Sequence, residues 1–245
     1  MPLLVFLLPY TQINAWDMPL ATIALLLFYK QRDPENFLKR IGLKIPPRQL
    51  VASLLTAGLA GLLFSKVIYY LIGRADFQLD RTHWSIGLRS RPIFQALNEE
   101  IVFRALLLGT FLKVSPNLRL QTSMYAAAVF ALAHFAFYYL KDAEMIGTWA
   151  LLSYFFFGVI CNLLFFKTGN VALSYALHLA WNFTRFSGDY LKEGQVIREG
   201  ATINYLEGWP VLAVGLGVTS LVILVWTRKG LREFQAPPPL SGSAA

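Results

Sequence analysis

Between residues 94 and 112 the chain reads FQALNEEIVFRALLLGTFL. An apolar run of about 20 residues is the length that crosses a bilayer as a helix, yet Glu99, Glu100 and Arg104 sit inside this one. Ionisable groups are costly in such a segment. They are kept where they pair with one another, face a protein interior or carry function. A fold for this chain must therefore supply buried partners for two adjacent carboxylates.

The rest of the sequence fits an apolar setting. Of 245 residues, 56% are hydrophobic and 15% charged, against about 25% charged in an ordinary soluble domain. Apolar runs recur at 1–29 (broken by Pro9, Asp17 and Pro19), 50–73, 92–113, 119–140, 146–166, 170–187 and 208–227. They predict an all-α fold, a polytopic transmembrane helical bundle of about seven spans, within a range of roughly six to eight. Residues 1–235 read as a single integral membrane domain, and the Pro/Ser-rich tail 236–245 reads as disordered. Lys66 lies near enough to the end of its span to snorkel. Tyr138, Tyr139 and Trp209 suit an interfacial aromatic belt.

The net charge of +8 reads as basic loops that set orientation and meet anionic lipid heads. Nucleic acid is not an expected partner, because no basic segment interleaved with surface aromatics appears. The distribution of Lys and Arg over the loops favours an N-out, C-in arrangement. Cys161, the single cysteine, lies in an apolar run and reads as a small core residue. The N-terminus shows no basic region followed by a small-residue cleavage site, so no removable signal peptide is expected.

The polar residues inside the spans carry the chemistry. Glu99 and Glu100 point about 100° apart on a helix. Glu100 and Arg104 share a face in the favourable Glu-before-Arg order and can neutralise each other. Glu99 has no basic residue one turn away, so it looks to another span for a partner or holds a proton. Of the three histidines, His83 falls in a polar loop and reads as a surface residue. His134 and His178 fall within spans, with Phe130 and Asn182 respectively on the same helical faces. Counted along antiparallel spans, Glu99, His134, His178 and Asn182 reach a similar depth. Their convergence is harder to explain as packing than any one of them alone.

Two schemes fit that set. A desolvated glutamate and a histidine can share a water as general acid and base, while His178 and Asn182 donate to a tetrahedral oxyanion. Alternatively, Glu99, His134 and His178 could hold zinc with an open position for water. Spacing does not separate the schemes. No HExxH occurs, and no GxSxG that would support a serine nucleophile.

The order EExxxR (Glu99, Glu100, Arg104), FxxxH (Phe130, His134) and HxxxN (His178, Asn182) resembles the CAAX-protease and bacteriocin-processing family, also called CPBP or Abi, which includes the prenyl-protein CAAX endopeptidase. The motif-bearing core covers residues 92–187, and the first, second and last spans carry no motif. The resemblance implies an intramembrane endopeptidase with a polar catalytic cavity inside the bilayer. It implies Glu99 and His134 as the pair that activates water, His178 and Asn182 as the oxyanion side, and Glu100, Arg104 and Phe130 as support. No cofactor is favoured, and zinc is the alternative. The expected partners are the lipid bilayer and a membrane-associated protein or peptide substrate, and the expected location is a prokaryotic cytoplasmic (inner) membrane. A non-catalytic scaffold or bacteriocin-immunity-type protein, and less so a proton-coupled transporter, are the competing readings.

Overall fold

The structure is a computed structural model that describes residues 17–32, 34–40, 42–71, 86–108, 118–140, 148–189 and 210–227. Among these residues every regular element is helical. In chain order they are α1 (Asp17–Arg32), α2 (Phe37–Arg40), α3 (Pro47–Ser53), α4 (Leu59–Leu71), α5 (Ile86–Glu100), α6 (Arg119–Leu140), α7 (Thr148–Thr168), α8 (Ala172–Asp189) and α9 (Pro210–Thr227). Wide π-helical stretches, Leu54–Gly58 and Ile101–Leu108, join α3 to α4 and continue α5. His83, Trp209 and the tail 236–245 lie outside the described residues, as do the side chains of Lys66, Tyr138 and Tyr139.

Three of the described helices are long and apolar enough to cross a membrane: Pro47–Phe64, Thr148–Thr168 and Pro210–Thr227. The helices that carry the site's polar side chains are α5, α6 and α8. The expected span 119–140 coincides with α6. The expected span 92–113 differs, because α5 already begins at Ile86, within a segment that reads as a polar loop. Pro92 is the seventh of the 15 residues of α5, so its missing N–H removes one i→i−4 bond from the helix interior.

Local chemistry explains the turns. Pro47 opens α3 at a position where no N–H bond is required. Gly42 and Gly169 adopt φ of 67° and 69°, a conformation that glycine reaches without steric cost. Asn170 Oδ1 accepts from the N–H of Ala172 at 3.0 Å and starts α8 directly after the turn. Gly42 also packs against Asn170, and its carbonyl accepts from Val171 N–H at 3.1 Å. The segment before α3 is thereby tied to the α7–α8 turn.

Side-chain contacts fix the helix directions. Phe103 meets Phe130 while Glu99 meets His134, so α5 and α6 are antiparallel. Ala127 meets Gly158 while His134 stacks on Tyr154, so α6 and α7 are antiparallel too. The tight turn at Gly169 sends α8 back along α7, and α8 therefore runs antiparallel to α5.

The core is built around α7, where residues from Phe157 to Phe166 are buried, Cys161 among them, as expected for a small core residue. A helix apolar on all sides belongs in such a central position. Phe103, Phe130, Phe157, Ile160, Leu164, Leu212 and Leu216 form one cluster. Asn162 adds a buried interhelical bond from Nδ2 to the carbonyl of Ser123 at 2.9 Å.

Gly158 lets α7 pack closely against α6: a Cβ there would lie 3.1 Å from Ala127 Cα and 3.3 Å from the Phe130 ring. Gly158→Leu should therefore cost about 1–3 kcal/mol through overpacking. Thermal unfolding of the detergent-purified variant measures the loss, and an unchanged midpoint would show that the helices do not meet there.

Candidate active site

Glu99 and Glu100 end α5 and are both buried, and the largely apolar stretch Ile101–Leu108 follows directly after them. Each carboxylate meets a different set of groups. Glu100 Oε2 lies 3.3 Å from Arg104 Nε, both side chains being fully buried. Its other oxygen, Oε1, lies 2.9 Å from His178 Nδ1. The guanidinium of Arg104 sits 5.1 Å from the centroid of the Phe130 ring, within cation–π range. The expected Glu100–Arg104 pair is thus present, and it extends across to α8 through His178.

Glu99 occupies the adjacent direction. Its Oε1 accepts from Gln95 Nε2 at 3.0 Å, one turn earlier on α5. Its Oε2 lies 3.7 Å from His134 Nε2 and 3.5 Å from His178 Nε2. The structure therefore brings Glu99, His134 and His178 together from three helices, as the depth argument anticipates. Asn182, one turn beyond His178, is buried as well, and its Nδ2 has no hydrogen-bond partner among the described residues.

The orientation of both imidazoles follows from what lies behind them. His134 Nδ1 is 2.9 Å from the backbone carbonyl of Phe130. A carbonyl only accepts, so Nδ1 carries the hydrogen and Nε2 turns toward Glu99. Glu100 holds His178 Nδ1 in the same manner. Aromatic walls fix the rings. Tyr154 stacks on His134 at 4.4 Å and 23°, Phe130 lies 4.4 Å from it at 48°, and Phe157 presents an edge to His178 at 5.1 Å and 76°. The Glu99–His134 gap of 3.7 Å is too long for a direct hydrogen bond and suits a bridging water.

As a metal site, the donor types are ones zinc accepts, and both imidazoles are held from behind through Nδ1, a common arrangement around zinc. Among the described residues, however, no group of three or more His, Cys, Asp or Glu side chains is arranged to hold a metal ion as it stands. An apolar cavity of about 420 Å³ lies beside the polar cluster, lined by Phe64, Phe157, Ile160, Leu177, Trp181 and Trp226 among others. Phe157 faces both the cavity and His178. The aromatic run SYFFFGVI, readable either as a groove wall or as lipid-facing packing, contributes Phe157 and Ile160 to that wall and buries Gly158 and Val159.

Sequence reading missed Gln95, Tyr154 and Phe157. Gln95 was within reach, since Gln and Glu four residues apart share a helical face. Tyr154 and Phe157 were not, because only the packing of α7 against α6 and α8 brings them to the histidines.

Arg104→Met should destabilise the fold by about 3–5 kcal/mol, because it leaves Glu100 buried without its cation. Denaturation of the purified variant measures this. Wild-type stability would mean that His178 alone suffices for Glu100.

Residues 83–184 match the model of a family described as type II CAAX prenyl endopeptidase Rce1-like. No curated protein and no solved structure matches the chain significantly. The matched stretch contains Glu99, Glu100, Arg104, Phe130, His134, His178 and Asn182. The apolar helices, together with this similarity over part of the chain, support an integral membrane protein. The segment that builds the site is thus Rce1-like, in agreement with the family that its motifs resemble.

Proposed function

We propose that the protein is a glutamate-type intramembrane endopeptidase that hydrolyses a peptide bond in a membrane-associated protein or peptide. The observation that carries this reading is the meeting of Glu99 Oε2 with the Nε2 atoms of His134 and His178 in a buried site. A water spanning Glu99 and His134 donates a hydrogen to each, which leaves its lone pair for attack on the carbonyl carbon. Glu99 takes the proton as the oxygen–carbon bond forms. On collapse of the tetrahedral intermediate the carbon–nitrogen bond breaks, and the proton passes to the leaving amine.

The carbonyl oxygen becomes an oxyanion that needs donors. Asn182 Nδ2 is supported for that role because it is buried and has no partner among the described residues. His178 donates from Nε2 once that nitrogen carries a proton, with the Glu100 carboxylate matching the charge at Nδ1. Glu100, Arg104 and Phe130 hold this arrangement. The metal-free scheme is preferred because it uses both His178 and Asn182 as donors. In the zinc alternative, Glu99, His134 and His178 would be the ligands, and the metal would polarise the carbonyl and acidify water.

The family description points to a substrate bearing an apolar group near its C-terminus, and the cavity beside Phe157 supports an apolar or lipid-bearing chain. We place the site in a bundle of about seven spans, in a prokaryotic cytoplasmic membrane. The N-out, C-in arrangement opens the Glu99 end outward, which favours a C-terminal processing or sorting segment presented from that side.

Glu99→Gln should keep the fold and lower cleavage by at least about 10²-fold, the scale of a lost general base. Cleavage of a membrane-reconstituted peptide, with insertion checked in parallel, provides the test; full activity in this variant would end the reading. Asn182→Ala should lower kcat by about 10²–10³-fold with little effect on KM. A change confined to KM would argue against an oxyanion role.

A further inference from the structure

We propose that Gln95 is a positioning residue for Glu99 that also binds the backbone of the substrate. The inference rests on the peptidase reading above. Gln95 Nε2 donates to Glu99 Oε1 at 3.0 Å. A carboxylate accepts there, so the amide cannot be flipped, and its Oε1 faces elsewhere. That Oε1 is buried and has no hydrogen-bond partner among the described residues. A buried acceptor without a partner is costly and needs an explanation.

The helix directions supply one. Gln95 lies one turn before Glu99 on α5, and Asn182 lies one turn after His178 on α8. Because the two helices are antiparallel, both residues are displaced from the reaction level toward the same end. One offers an unpartnered acceptor, Gln95 Oε1, and the other an unpartnered donor, Asn182 Nδ2. An extended peptide presents both a carbonyl and an N–H along its backbone. Asn182 takes the carbonyl oxygen of the scissile bond, and Gln95 takes a backbone N–H flanking it. The same Gln95 amide holds Glu99 Oε1, so the substrate's backbone and the attacking side are set by one side chain.

The test uses reconstituted full-length protein and a set of peptides in which each backbone amide near the scissile bond is replaced in turn by an ester, removing one N–H. For wild type, one ester substrate should lose roughly 10-fold in kcat/KM, the scale of a lost hydrogen bond to a buried group. Gln95→Met should lower kcat/KM for the all-amide peptide by roughly 10- to 100-fold and should no longer discriminate against that ester. Gln95→Glu keeps an acceptor and loses the donor to Glu99, so it should retain the discrimination while kcat falls. If wild type shows no ester effect, or Gln95→Met retains the same ester penalty, Gln95 does not bind the substrate. If the Met variant fails to fold, a flat wild-type ester scan still overturns the proposal, and Gln95→Leu supplies a second variant without the acceptor for the comparison. Absence of any cleavage by wild type would instead overturn the peptidase reading itself.

Discussion

Two adjacent carboxylates buried in an apolar bundle must each be compensated, and because they point about 100° apart on the helix each draws its own set of partners, with His178 shared between them. Burying an unpaired charge costs several kcal/mol even after relaxation. Glu100 is compensated by Arg104 on its own helix and by His178 from α8. Glu99 is met by Gln95, His134 and the other nitrogen of His178. His178 touches both carboxylates, so the approach of α8 to α5 is set by electrostatics as much as by packing. The close fit of α4 against α8 is a matter of packing alone: a Cβ on Gly61 would lie 2.9 Å from the Leu177 side chain and 3.0 Å from Ala180.

That arrangement divides the work between the carboxylates. Glu100 belongs to a structural pair and fixes one imidazole from behind. Glu99 faces the two Nε2 atoms. The backbone carbonyl of Phe130 does for His134 what Glu100 does for His178. Tyr154, Phe130 and Phe157 then hold the rings in place, which matters because acid–base geometry fails with small displacements. The π-helical stretch from Ile101 begins directly after the two glutamates. Such widenings recur at functional sites, and this one falls where α5 must serve Arg104, Phe103 and the carboxylates together.

Much of this was legible in the residues. Glu99, His134 and His178 stood out because ionisable groups are rare in apolar spans, and depth along antiparallel helices brought them to one level. The Glu100–Arg104 pair followed from helical spacing. The Glu100–His178 bond did not, because a pairing that satisfies itself locally gives no hint of a second partner on another helix. The early start of α5 was hidden by the polar residues that precede Pro92, which read as a polar segment. The π-helical stretches leave no periodic signal over so few residues. The central position of α7 was ambiguous as well, because burial in protein and burial in lipid select the same apolar side chains.

The central claim is that Glu99 and His134, rather than a bound metal, activate the water. The most direct measurement is cleavage of a lipid-bearing peptide by the purified, membrane-reconstituted protein before and after exhaustive chelation, with metal content determined on the same samples. The account predicts an unchanged rate from protein that holds far less than one metal ion per chain. Activity that disappears with the metal and returns with added zinc would contradict it and make Glu99, His134 and His178 ligands.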